Sequence, residues 1–245
     1  MIEEPGSFIV LDSVDSTNNY AMAQIHAGTA LHGTSYFAYD QLSGKGRLAK
    51  TWQTEKGKNI ILSIVLNTSF LAVYQQFHLN VAVTVACIDF FNKYINNNAI
   101  KWPNDIYWND SKAGGILIEN VIRGASWQWA VVGIGININQ RTFQNNLPNP
   151  VSLSQITGET YDVVNLAKEL QRHVMNRFDA LKKDGHENLF SIYNHFLYKR
   201  DVQVRLKKDN IVFDTEIVGV NDQGQLLTRD VMERSFNFNE VEWLL

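Results

Sequence analysis

A chain of 245 residues, 45% hydrophobic and 19% charged, has the make-up of one sizeable folded domain, with or without a small appendage, and not of a disordered chain. Its formal net charge of −3 gives no bulk attraction for nucleic acid, and a single cysteine, Cys87, excludes an internal disulfide. The opening residues Met1 to Gly6 lack a basic run followed by an apolar one, and no stretch reaches the ~20 apolar residues of a membrane helix. The cytoplasm is the expected compartment, with no membrane and no nucleic-acid partner.

In chain order, the first apolar segment begins by Phe8, and no helix-turn-helix pattern precedes it. Asp15-Ser16-Thr17-Asn18 reads as a helix start carrying hydroxyl and amide groups. Gly33 to Asp40 and Ile60 to Leu66 are rich in β-branched and aromatic residues, which predicts buried strands. Val73 to Ile95 lacks Gly and Pro and is apolar on most faces, so a helix buried against a sheet is expected there, stopped by Asn96-Asn97-Asn98. Ile100 to Trp102, Ile106 to Trp108, Ile116 to Ile122 and Trp127 to Ile138 follow as strands. They lie too close together for helical crossovers, so antiparallel pairing is predicted. Val163, Leu166, Leu170, Val174, Phe178 and Leu181 recur at helical spacing behind Asp162, a candidate N-cap. A further helix is expected over Glu187 to Tyr198. Beyond Arg200 short alternating runs at Val202 to Leu206, Ile211 to Val220, Leu226 to Thr228 and Phe236 to Leu245 predict a small all-β module. The division falls between residues 1–198 and 199–245.

The segment Gly44-Lys45-Gly46-Arg47-Leu48-Ala49-Lys50-Thr51 misses a phosphate-binding P-loop by one residue. A P-loop needs glycine where Ala49 stands, because backbone approach to phosphate leaves no room for Cβ, and it needs a helix directly behind it. Gly57 and the β-like run after it leave little length for that helix. Gly133-Ile134-Gly135-Ile136-Asn137 likewise lacks the third glycine of a dinucleotide fingerprint and continues as a strand. The six histidines show no metal-ligand spacing, and Cys87 reads as a small core residue. What remains is a loop with two glycines, three cations and Trp52, accompanied by Lys101-Trp102-Pro103-Asn104-Asp105 and by Lys112-Ala113-Gly114-Gly115, which places a lysine at a turn beside open backbone.

Taken together, DSTN at 15–18, Q-x-x-G-K-G-R-x-x-K-x-W at 41–52, KWPND at 101–105, K-A-G-G-I-L-I-E at 112–119 and G-I-G-I-N at 133–137 resemble the biotin protein ligases. The resemblance implies an α+β fold: a mixed, largely antiparallel sheet flanked by helices, related to the class II aminoacyl-tRNA synthetases, with a small C-terminal SH3-like β-barrel. Some members carry an N-terminal DNA-binding domain, and this chain has no room for one, so it is expected to be the enzyme-only form. The implied chemistry joins biotin and MgATP into biotinyl-5′-AMP, then transfers biotin to a lysine of a biotin carboxyl carrier domain. Magnesium would be carried by ATP, and a homodimer is implied by the family's example.

The same resemblance assigns residues. Ser16, Thr17, Asn18 and Gln41 would meet the ureido ring or neighbouring biotin atoms, the Gly44-Lys45-Gly46-Arg47 backbone would fold over the ligand, and Gly115 would lie against it. Lys112 would stand between the biotin carboxylate and the α-phosphate, and Arg47 would hold the phosphate. Trp52 would stack near adenine, Asn104 and Asn137 would place nucleotide or metal, and Lys50 and Lys101 would add charge on the ATP side. Asp105 would orient Lys112 or help the incoming lysine lose its proton. The family loop often reads G-R-G-R-x-G-R, so Lys45, Ala49 and Lys50 are departures; lysine keeps the charge and loses the bidentate fork. Competing readings are a lipoate or octanoyl transferase-like ligase of the same fold and a non-catalytic biotin-binding module.

Overall fold

The structure is a computed structural model that describes residues 6–47, 51–144 and 149–244. Seven strands form one sheet: β1 (Phe8–Val14), β2 (Ser35–Gln41), β3 (Ile60–Asn67), β4 (Asn98–Lys101), β5 (Asp105–Trp108), β6 (Ser111–Arg123) and β7 (Ser126–Ile136), in the spatial order β1-β2-β3-β7-β6-β5-β4. Only β1 and β2 pair in parallel, joined through α1 (Thr17–His26); every other neighbour is antiparallel, as the short spacings require.

Alternation along the strands divides the sheet into two faces. Ile60, Leu62, Ile64 and Leu66 of β3 and Ala130, Val132, Ile134 and Ile136 of β7 join one continuous apolar core. Two helices lie in that core, α2 (Gln76–Phe91), thirteen of whose sixteen residues are buried, and α4 (Val163–Asp184). The α4 stripe is the one the sequence predicts, and Asp162 caps it by accepting from the Val164 and Asn165 amides. Arg177 of α4 grips Asp89 of α2 in a two-pronged pair at 2.5 and 2.9 Å. The opposite face carries the smaller cluster of Tyr36, Val65 and Val131 with Ala21 and Ile25 of α1, and beyond it the sheet is open.

Several boundaries differ from expectation. β1 was not anticipated, because Ser13 and Asp12 interrupt its apolar run. The helix expected over Val73 to Ile95 is trimmed at both ends. Its start is a single tight turn, with the Gln75 side chain on the Ala72 amide at 2.8 Å, and it closes on the Phe91 carbonyl. A short helix, α3 (Leu153–Thr157), is set by a Ser152/Gln155 capping box. The helix expected to reach Tyr198 is α5 (Glu187–His195); Phe196 and Tyr198 leave it to bond Ile100, which covers the β4 edge. Finally Lys112 is not at a turn: it is the second residue of β6.

The C-terminal residues form five antiparallel strands, β8 (Gln203–Lys208), β9 (Ile211–Val220), β10 (Leu226–Arg229), β11 (Glu233–Phe236) and β12 (Glu242–Leu244), in the order β11-β10-β9-β8-β12. Among the described residues β11 and β12 do not pair, so the sheet is open where a closed barrel was expected. The run from Phe236 onward is broken by a turn at Asn237 to Glu240, where the Glu240 carboxylate holds the Asn237 amide. The sheet packs on the rest of the chain through aromatic rings: Phe238 contacts Phe77 and Trp102, and the Trp102 indole donates to the Gly224 carbonyl at 2.9 Å. No helix among the described residues is long and apolar enough to cross a membrane.

Candidate active site

Residues directly opposite each other in a sheet share a face, so the registers define what lines the open one. Ile61 faces Gly135, Gly135 faces Gly115, and Gly115 faces Asp105; one step along, Tyr36 faces Ser63, Ser63 faces Gly133, and Gly133 faces Leu117. Three glycines therefore lie side by side as a bare floor. A Cβ at Gly135 would stand 2.4 Å from the Trp52 ring, and one at Gly133 would stand 2.4 Å from the Asn18 side-chain oxygen. This accounts for G-I-G-I-N: its isoleucines face the core while its glycines make room for groups above the sheet.

Two cations approach Asp105 from different elements, and one of them, Lys112, lies over this floor. A register shift between Ile106 and Tyr107 in the β5–β6 pairing bends β6 and aims Lys112 at Asp105, 2.6 Å away, above Gly115. The Lys112 backbone is pinned by the Asn149 carbonyl and the Val151 amide, and the Asn137 side chain donates to the Lys112 and Val151 carbonyls at 3.4 and 3.1 Å. Arg47 donates to the Asn104 side chain at 3.2 Å, and its guanidinium lies 5.1 Å from the Phe238 ring. Burial pulls the Arg47 pKa below its ordinary value, opposed by Asp105 and Tyr193. Asn104 is itself fixed by donating to the Ile116 carbonyl.

A polar network closes the α1 end. The Thr17 amide donates to the Gln41 side-chain oxygen at 2.8 Å, the Ser63 hydroxyl lies 2.8 Å from that of Thr17 and 2.6 Å from the Asn18 oxygen, and the Asn18 amide donates to Glu119 at 2.7 Å. Ser16 is buried at the helix N-cap without using its side chain there. In the loop, Lys45 bridges to Thr51, pairs with Glu119 at 3.4 Å, and leaves Gly44 so crowded that a Cβ would meet the Trp52 carbonyl at 2.2 Å. Half-buried Gly46 connects these to Arg47. The Trp52 ring lies over Gly135 with Lys112 5.9 Å from its centre.

Most of the expected residues that the structure describes thus lie along one face of the sheet or at its β4–β5 end. Asn137 spends its amide on the backbone that carries Lys112, so its place is behind the site. Lys101 shares the face with Asp105 but donates to the Tyr107 hydroxyl and sits 5.6 Å from the Trp243 ring of the C-terminal sheet. Ala49 and Lys50 lie outside the described residues. Sequence reasoning missed Ser63, Glu119 and Phe238. Ser63 had a signal, being the one polar residue within the apolar run Ile60 to Leu66; Phe238 had none. Among the described residues the Trp52 indole N–H and the Thr54 hydroxyl are buried without partners, as donors reserved for a bound polar molecule would be. Among the described residues no group of three His, Cys, Asp or Glu side chains is placed to hold a metal ion.

Comparison with known proteins gives the same direction. The model of the Biotin/lipoate A/B protein ligase family matches residues 10–137. The bifunctional ligase/repressor BirA of Bacillus spizizenii is 26% identical over 92% of this chain and 70% of its own length. The biotin–[acetyl-CoA-carboxylase] ligase of Mycobacterium tuberculosis is 27% identical over 69% of this chain and 62% of its own. Among solved structures, the Aquifex aeolicus biotin protein ligase in complex with biotin and ATP superposes with a TM-score of 0.81 at 21% identity, covering 96% of this chain and 97% of that one.

Proposed function

The chain belongs to the Biotin/lipoate A/B protein ligase family, and from that premise we propose how its residues carry out the chemistry. It is a biotin protein ligase: it activates biotin with ATP and transfers it to a carrier protein. The acceptor we assign is a lysine on the carrier domain of a biotin-dependent carboxylase.

The observation that carries the residue-level reading is that Lys112 and Arg47 both approach Asp105, with Lys112 and Asp105 lying above Gly115. In the first step a biotin carboxylate oxygen attacks the α-phosphorus of ATP, and pyrophosphate leaves. Two anions must approach, so the barrier is largely electrostatic, and fixed cations lower it more than mobile ones because they need no reorganisation. Lys112, a compact charge held by Asp105, sits where carboxylate and phosphate would meet above Gly115. Arg47, held from one side by Asn104 and from the other by Phe238, supports the phosphate. Magnesium, which would enter on the triphosphate and neutralise it, would take its ligands chiefly from phosphate oxygens. In the second step the carrier lysine attacks the acyl carbon of biotinyl-5′-AMP, AMP leaves with the electron pair, and an amide forms. Asp105, the carboxylate at the floor, is placed to orient Lys112 and to receive the proton that the amine sheds.

Ligand choice follows from the α1 end. Thr17, Asn18, Ser63 and Gln41 form a polar network suited to a cyclic urea, to which a lipoyl dithiolane would offer no hydrogen bond in return. We further assign residues 199–245 as a unit that supports the site through Phe238. The direct test is to incubate the chain with biotin, MgATP and a carrier domain and to weigh the carrier intact. One biotinyl addition that needs both small molecules is expected; an unmodified carrier in the presence of folded enzyme overturns the reading.

A further inference from the structure

Glu119 ends the K-A-G-G-I-L-I-E stretch, yet it touches neither Lys112 nor Arg47. Its carboxylate faces α1. The Asn18 NH2 group has two neighbours, Glu119 Oε2 at 2.7 Å and the Leu117 carbonyl at 3.3 Å, and both can only accept. The amide therefore has one workable orientation, with its oxygen turned toward Ser63. Ser63 has a single proton and two oxygens in reach, Asn18 Oδ1 at 2.6 Å and Thr17 Oγ1 at 2.8 Å. The Asn18 carbonyl cannot donate, so it takes that proton, and the Thr17–Ser63 contact requires Thr17 to donate in turn. The other acceptor near Thr17, Gln41 Oε1 at 3.2 Å, also belongs to the protein. Either way the Thr17 proton is consumed inside the network, and only a lone pair faces outward.

We propose that Glu119 is a positioning residue for recognition of the biotin head: through Asn18 and Ser63 it fixes the Thr17 hydroxyl as an acceptor for the N–H of a cyclic urea. This rests on the ligase reading above. An amide at position 119 would offer Asn18 a donor and permit the reversed orientation, in which Ser63 donates to Thr17 and only the 3.2 Å contact with Gln41 still holds the Thr17 proton away from a ligand N–H. The ion pair from Lys45 joins the same carboxylate to the loop, so a rival role exists, in which Glu119 is only a latch for loop closure. The two roles move different constants. Head-group positioning changes the KM for biotin alone. A latch changes kcat and the lifetime of the bound adenylate.

The experiment is a double-mutant cycle on Glu119→Gln and Ser63→Ala, read by biotin-dependent pyrophosphate release with biotin and ATP varied separately. Each single variant is expected to raise the KM for biotin about tenfold, with the KM for ATP and kcat at saturating biotin held. Because both interrupt one chain, the double variant is expected to stay near tenfold. A hundredfold loss in the double variant, or a fall in kcat with the biotin KM unchanged, overturns the proposal. Melting curves check folding; should Glu119→Gln not fold, Glu119→Ala with Ser63→Ala supplies the cycle. If the unaltered enzyme releases no pyrophosphate with biotin, the ligase reading fails instead.

Discussion

The two faces of the seven-stranded sheet are made by the same strands and do opposite work. On β3, Ile60, Leu62 and Ile64 pack into the α2–α4 core while Ile61, Ser63 and Val65 face the other way. On β7, Val132, Ile134 and Ile136 pack while Gly133 and Gly135 lie on the open face. The packed face needs volume at every position, because interiors are dense and a missing side chain leaves a cavity. The open face needs the reverse: absent side chains, so that Asn18, Trp52 and a ligand can lie on the backbone, and charges that are only partly covered. On the proposed reading, stability and chemistry are thus separated by the two-residue period of a strand.

That separation can be broken deliberately. The largest effect expected is from Lys112→Ala, which removes the charge above Gly115: pyrophosphate exchange should fall by roughly 10³-fold, while the thermal midpoint barely moves because Lys112 is not part of the core. A midpoint drop as large as a core substitution would instead make Lys112 structural. Next in size is a pair of neighbours on β7. Gly133→Ala places a methyl against Asn18 and should cost about 10²-fold in kcat/KM for biotin with a modest change in denaturant midpoint. Ile134→Ala, one residue along, should cost about 2–4 kcal/mol in unfolding free energy and leave the kinetics of the folded enzyme intact. If both variants lose activity and stability alike, the two faces are not independent.

The smallest effect concerns protons on the packed side. His78 of α2 stacks on His186 with ring centres 4.1 Å apart, and burial, then the neighbouring His186, holds its pKa below the ordinary 6.5, with Asp222 and Glu187 opposing. Burial likewise depresses His32. A base depressed in the folded state contributes stability that is present above 6.5 and is lost as pH falls below it toward the folded value. Melting temperature should therefore decline between neutral pH and about pH 5, and His78→Gln should flatten that decline. A decline of unchanged size in the variant would assign the acid sensitivity elsewhere.

Legibility in the sequence followed the same division. The packed face was readable because burial imposes a period: the α4 stripe, the α2 run without glycine, and the strands from Ile60 to Ile138 all declare themselves. β1 did not, since parallel pairing through α1 depends on partners far along the chain and its own residues are mixed. On the open face the charged motifs were recognisable as types, and Lys112, Arg47, Asn104 and Asp105 could be named. Their arrangement was not: nothing in K-A-G-G says that a shifted register turns Lys112 onto Asp105, or that Asn137 serves the backbone behind it. Glu119 stood in a quoted motif without a role, because its partner Asn18 lies 101 residues away. Phe238 was invisible, since its contact with Arg47 exists only once the C-terminal sheet docks.

In the proposed function the glycine floor, Lys112 and Arg47 form the place where a carboxylate and a phosphate are joined. This is tested most directly by a crystal structure of the chain with a non-hydrolysable analogue of biotinyl-5′-AMP. The ring system is expected at Thr17 and Ser63, the chain along Gly115, and the phosphate within hydrogen-bond distance of Lys112 and Arg47. Density for the phosphate away from both cations, or an analogue bound on another surface, would contradict it.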